Sequence, residues 1–239
     1  MGWLVLAQAC GAGVRLNPRI VLLIFALALI SVFVTPYAYV AYDVTTVEHR
    51  NLHVWAMRLA GGLAIFPVAL AVVLALMQQG RRHAAHAAHA AQGPLRAALL
   101  TSILLFAAGG LIGVTISGNN VKIPAHYHGC IVGVTLALMG WVYQLLPQMG
   151  YAAPAGRGAV LQPWLYGGGQ FLHIAGLVWS GGYGVQRKVA GAEQVLRSPG
   201  EIAGMGLMGL GGALAIAGGL MFVIVVIRAM RAAPRPAGR

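Results

Sequence analysis

Charge is what this sequence has least of. Only 8% of its 239 residues are charged, against roughly a quarter in soluble domains, and just 4 are acidic. So little charge beside 59% hydrophobic residues excludes a soluble globular enzyme and a disordered chain. Cysteine is nearly missing too: Cys10 and Cys130 are too few and too far apart for a disulfide scaffold or a zinc ribbon. Scarce acids leave no carboxylate pair and no acidic proton channel, and no nucleophile constellation or phosphate loop takes their place. What is abundant is apolar residues and glycine, 34 of them, with a mean hydropathy of +0.78, a composition suited to a bilayer.

Apolar runs able to cross a hydrocarbon core of roughly 30 Å fall near 19–42, 52–78, 95–117, 122–147, 161–185 and 202–229. The expected fold is therefore all-α, an integral membrane bundle of six transmembrane helices. Residues 1–18 are apolar but short, and no Lys or Arg precedes Arg15. They lack the basic start of a signal peptide and are read as an interfacial segment. Residues 19–231 form the membrane domain and 232–239 a basic tail.

The net charge of +12 would point to nucleic acid in a soluble protein. Placed along the chain, it reads instead as topology, and no nucleic-acid partner is needed. Arg15, Arg19, Arg81, Arg82, Arg96, Arg157, Arg228, Arg231, Arg235 and Arg239 fall on one side of the bundle. Arg50, Arg58, Lys122, Arg187, Lys188 and Arg197 fall on the other, with Asp43, Glu48, Glu193 and Glu201. The positive-inside rule makes the first side cytoplasmic, with both termini there. The usage of Gly, Ala and Arg suits a bacterial inner membrane. Gly204, Gly206, Gly209, Gly211, Gly212, Gly218 and Gly219 let helices approach closely, which predicts a tight bundle with room for a partner subunit.

Histidine is the informative residue. His83, His86 and His89 repeat at intervals of three in a basic loop and are read as solvated, although such tracts can bind metal. The other five lie in or at the ends of expected spans, where polar side chains usually mark a site. His49 and His53 stand one turn apart at the outer end of the second span; they face water and headgroups, or they supply metal ligands. His173 lies inside the fifth span and is read as a hydrogen-bonded core histidine. His126 and His128 are two residues apart, about 200° around a helix axis, so their rings point to nearly opposite faces. That spacing argues against one shared ion and for two separate planar cofactors, haem being the obvious one.

The stretch Gly109-Gly110-Leu111-Ile112-Gly113-Val114, then Asn119-Asn120, Ala125-His126-Tyr127-His128, Met139-Gly140 and Leu146-Pro147 resembles the ninth and tenth helices of subunit I of the haem-copper oxidase superfamily. There the helices carry Gly-Gly-Leu-Thr-Gly, Ala-His-Phe-His and a Trp-Phe-Pro ending. The resemblance implies that His126 ligates a high-spin haem and His128 a low-spin haem. It implies that Arg187 and Lys188 hold haem propionates from the end of the fifth span, as basic donors suit carboxylates. Arg58, within the second span, could neutralise a propionate as well. His173-Ile174-Ala175-Gly176-Leu177 is similar to a His-x-x-Gly-Leu segment of the family's next helix.

The resemblance covers roughly residues 95–230 and places the chain on the C-terminal half of that subunit, about helices seven to twelve. The departures carry weight. The family's copper site needs three further histidines, one joined to a tyrosine, yet the first span has only Tyr37, Tyr39 and Tyr42. Helix two, which supplies the second ligand of the low-spin haem, has no counterpart. Copper is therefore doubtful, and the chain is no complete oxidase.

The expectation is a haem-binding, electron-transferring subunit of a respiratory-type complex. It would carry one or two b-type haems with His126 and His128, and His49 or His53, as metal ligands, toward the periplasmic face. Its partners would be other membrane subunits, with a cytochrome c or quinol donor. The alternatives are a split catalytic subunit for oxygen or nitric oxide reduction completed by a partner chain, a non-catalytic structural or assembly subunit, and a metal-handling membrane protein.

Overall fold

A computed structural model describes residues 2–62, 65–82, 89–189 and 195–232. His83 and His86 of the histidine tract, Glu193, and the tail from residue 233 onward lie outside the described residues. The chain divides into two compact units, one of residues 1–10 with 86–239 and the other of residues 11–85.

Among the described residues every regular element is a helix. The first unit holds α1 (Gly2–Ala9), α5 (His89–Val114), α6 (Lys122–Gln148), α7 (Gly156–Gly182) and α8 (Pro199–Arg231). The second holds α2 (Pro18–Ala41), α3 (Val47–Ala56), a π turn (Met57–Gly62) and α4 (Ile65–Arg82). Four helices are long and apolar enough to cross a membrane: Pro18–Ala41, Gln92–Val114, Lys122–Gln148 and Pro199–Arg231. They match the first, third, fourth and sixth expected spans.

The other two expected spans differ from their simple form. Residues 52–78 are not described as one α-helix: the π turn lies between α3 and α4, and Ile65–Gln79 is a shorter apolar helix. Gly61 and Gly62, poor helix formers, sit where α-helical pairing gives way. The fifth expected span coincides with a continuous 27-residue helix, α7, about 40 Å long, which is not among the four helices apolar enough to cross a membrane. Its Gln162, Gln170, Tyr166, His173 and glycines keep its hydropathy below that of the other four.

Local chemistry sets the ends. Asn17 caps α2 by accepting from the Arg19 amide at 2.9 Å, and Pro18 follows at the first helical position. Ser198 caps α8, accepting from the Glu201 amide at 3.2 Å, while the Glu201 carboxylate accepts from the amide of Arg197, the residue before the cap, at 2.5 Å, a variant of the capping box, in which the carboxylate bonds the cap's own amide. Arg228 and Arg231 close the same helix, where cations meet the negative end of its dipole. Between α2 and α3 the Asp43 carboxylate accepts from the Thr45 amide and hydroxyl at 2.9 and 2.6 Å. Those bonds hold the carboxyl below its ordinary range.

In the first unit α5, α6 and α7 share a core of Leu105, Val121, Val132, Leu136, Ile174 and Leu177. Glycine makes the helices close. A Cβ on Gly129 would sit 2.6 Å from the Gly109 Cα, and one on Gly133 2.8 Å from the Phe106 Cβ. Helices α7 and α8 run antiparallel along Gly169 and Gly176 on one side and Gly204, Gly211 and Gly218 on the other. Gly206 and Gly209 face open space, so only part of the expected glycine set builds this seam. Helix α1 is not merely laid alongside: Trp3, Leu6, Ala7 and Cys10 are buried. The Trp3 indole donates to the Ser102 hydroxyl at 2.7 Å and meets Phe106 edge-on at 5.4 Å. The Ser102 hydroxyl in turn donates to the Gly133 carbonyl at 2.5 Å. Burial pushes the Cys10 thiol up to about 11, against the opposing pull of the Arg96 cation.

Candidate functional site

The two histidines of the Ala125–His128 stretch leave α6 toward different neighbours. His126 turns to α5, its Nδ1 lying 2.7 Å from the Gly109 carbonyl. Its ring occupies space that a side chain at position 113 would take, since a Cβ on Gly113 would come 2.7 Å from that nitrogen. His128 turns to α7, its ring centroid 5.0 Å from that of His173 in an edge-on arrangement. This is the two-faced disposition expected from helix pitch, and both rings are half-buried.

His173 is hydrogen-bonded as expected, its Nδ1 3.0 Å from the Met208 carbonyl of α8. A ring nitrogen facing a backbone carbonyl can bond to it only as a donor, so in the neutral ring Nε2 of His126 and of His173 would carry the lone pair. That tautomer is the one in which imidazole serves as a ligand, with the carbonyl fixing its orientation. Cys130 lies one turn below His126, its sulfur 3.8 Å from Nδ1.

The second histidine pair belongs to the other unit. His49 is buried, with Nδ1 3.2 Å from the Ala38 carbonyl of α2. His53 has its Nδ1 3.0 Å from the His49 carbonyl, and the two rings lie 4.8 Å apart, tilted by 31°. Tyr39 meets His49 edge-on at 4.8 Å, while Tyr37 and Tyr42 pack on each other. Among the described residues no group of three or more His, Cys, Asp or Glu side chains converges as a metal site would require.

The basic residues take varied places. The Arg187 Nε donates to the Asn119 side chain, and the Val121 amide donates to the Val185 carbonyl at 3.0 Å. These bonds tie the α5–α6 loop to the segment after α7, at the end of α6 that carries His126 and His128. Lys188 is exposed and holds a left-handed φ of +62°, uncommon outside glycine. Arg58 is exposed in the π turn, its guanidinium 5.7 Å from the Trp55 ring.

Sequence reasoning missed a buried polar knot. Gln162 of α7 is fully buried, accepts from the Tyr143 hydroxyl at 2.9 Å and donates to the Gly218 carbonyl at 3.2 Å. The signal was available, because a glutamine inside an apolar span needs partners as much as a histidine does.

No family model matches the chain. It is similar to an uncharacterized protein of Rickettsia prowazekii (strain Madrid E), 32% identical over 231 residues, which covers 81% of this chain and 44% of that protein. It is also similar to an uncharacterized protein of Aquifex aeolicus (strain VF5), 31% identical over 62 residues, or 26% of this chain and 16% of that protein. The chain thus spans less than half the length of the curated relatives it matches.

Proposed function

We propose that the chain is a haem-binding, electron-transferring subunit of a larger membrane complex, resembling the C-terminal half of haem-copper oxidase subunit I. The observation that carries this reading is the divergence of His126 and His128 from one helix, each toward its own neighbour. The donor set fits haem: the His126 ring is oriented by the Gly109 carbonyl at Nδ1, which in a neutral ring would leave Nε2 for use as an axial ligand. His128, half-buried beside His173, would serve a second site on the other face of α6. Bound haem supplies one-electron chemistry set by its axial ligands.

The chain's own residues orient and neutralise. Arg187 and Lys188 stand ready for carboxylates near the same end of α6, and Arg187 is already aligned by Asn119. Arg58 would act likewise, and His49 and His53 are reserve ligands, with Nδ1 of each facing a carbonyl. In this reading all six apolar segments cross a bacterial inner membrane. Both termini lie in the cytoplasm by the positive-inside rule, and the histidines lie toward the periplasm. Other membrane subunits complete the sites, and a cytochrome c or a quinol donates electrons.

Visible spectra of the complex purified with this chain, oxidised and dithionite-reduced, test the proposal. Sharp reduced bands insensitive to carbon monoxide, diminished by His128→Ala, are the expected result. A carbon monoxide shift would overturn pure electron transfer in favour of an open catalytic iron. No haem absorbance in the intact complex would overturn the assignment and leave a structural subunit.

A further inference from the structure

The second unit contains an open groove of about 590 Å³ between the segment leading into α2 and one side of α4. Its lining is of two kinds, a polar part of Arg15, Asn17, Gln78 and Gln79 and an apolar floor of Ile20, Pro67, Leu70 and Leu74, which along α4 follow one another as 67–74 and 78–79. Ile20, Leu70 and Leu74 each leave between 41% and 60% of their surface uncovered. Positions 67 to 78 of α4 extend about 16 Å along the helix axis, so the groove is a channel rather than a dimple.

Charge selects the occupant. Arg15 is exposed and has no carboxylate partner among the described residues. The acids of this unit, Asp43 and Glu48, lie beyond the other end of α2, a 24-residue helix about 36 Å long. A cation and amide donors beside an apolar channel complement a headgroup anion with an attached hydrocarbon chain. An unlipidated anion would leave the floor bare, and a purely apolar chain would leave Arg15 without a counter-charge.

We infer that this groove is a binding site for one anionic phospholipid, its phosphate at Arg15, Asn17, Gln78 and Gln79 and an acyl chain along Ile20, Leu70 and Leu74. Arg15 supplies the charge, the amides supply hydrogen bonds to phosphate oxygens, and the leucines exclude water from the chain.

Native mass spectrometry of the detergent-purified chain, titrated with dioleoyl phosphatidylglycerol or dioleoyl phosphatidylcholine, tests the inference. One phosphatidylglycerol should remain bound at collision energies that strip phosphatidylcholine. Arg15→Ala should lower that retention about fivefold, the worth of one cation beside an anionic headgroup, while Arg15→Lys keeps most of it. Leu74→Trp, filling the floor, should lower retention of both lipids. Equal retention of the two lipids, or unchanged retention in an Arg15→Ala protein with native helix content, would overturn the site. Displacement of the lipid by millimolar inorganic phosphate would overturn it too, by assigning the affinity to free phosphate.

Discussion

Replacing Gly109 by alanine tests how the α5–α6 approach governs the histidine between them. The new methyl would lie 2.5 Å from the Cys130 backbone nitrogen and 2.7 Å from the Gly129 carbonyl carbon, where ordinary contact begins at 3.4 Å. Both obstacles are backbone, so the helices must part by roughly 1 Å to restore van der Waals contact. The same parting acts on the 2.7 Å bond between His126 and the Gly109 carbonyl, carrying it toward about 3.6 Å, past hydrogen-bond reach. Overpacking costs about 1–3 kcal/mol and the lost hydrogen bond about 1 kcal/mol. For a chain of this length the sum lowers the thermal midpoint by about 4–16 °C. The control is next door: Gly110 is exposed, with nothing within 4 Å of its Cβ position, so Gly110→Ala should be neutral or raise stability by up to about 1 kcal/mol. Differential scanning fluorimetry in one detergent gives both midpoints, and 15N NMR of the His126 ring reports whether Nδ1 keeps its proton. Equal midpoints for the two variants, or an unchanged His126 tautomer in Gly109→Ala, would refute the reasoning.

The α7–α8 seam makes a parallel claim: Gly211→Leu should lower the midpoint by several degrees, whereas Gly206→Leu, facing open space, should barely move it. The Cys10 thiol, at about 11, should resist alkylation at pH 8 in the folded protein and react readily in denaturant, as mass spectrometry can count. Asp43 should titrate below 3.8 in a carboxyl NMR experiment, because the Thr45 hydroxyl and amide favour its charged form. The folded pKa being the lower one, its contribution to stability is complete above the ordinary carboxylate range and fades as pH falls through the folded value. Thr45→Val should bring the titration back toward 3.8.

Length and hydropathy made four membrane-length helices legible, and helix pitch made the opposed directions of His126 and His128 legible. The caps were legible in principle, because Asn17-Pro18 and Ser198-Pro199 with Glu201 carry their mechanism in residue type. Hydropathy could not see the π turn at Met57–Gly62, since a change of backbone pairing leaves the apolar average intact. The burial of α1 was hidden for a similar reason. A short, largely apolar helix says nothing of which partner it reaches, and the deciding contact is one indole proton finding Ser102, ninety-nine positions away. The pairing of His128 with His173 depends on how far α7 is shifted along α6, which no periodicity in either helix reports.

The glycines of the α7–α8 seam recur every seventh position, at 169 and 176 on one helix and 204, 211 and 218 on the other. Such a seam resembles a ruler with identical marks. Sliding one helix past the other by seven residues, about 10.5 Å, sets glycine opposite small residue again, so steric fit alone permits more than one alignment. What singles out one mark is side chains, because a helix offers a backbone carbonyl at every position. Phe222 of α8 stacks on Tyr143 with ring centroids 5.5 Å apart, a contact worth about 0.5–1.5 kcal/mol beyond its buried area, and a slip of one heptad puts Ala215 or Ala229 in its place. Phe222 is thus an alignment pin for α8, and Tyr143 carries the same mark to α7 through its bond to Gln162.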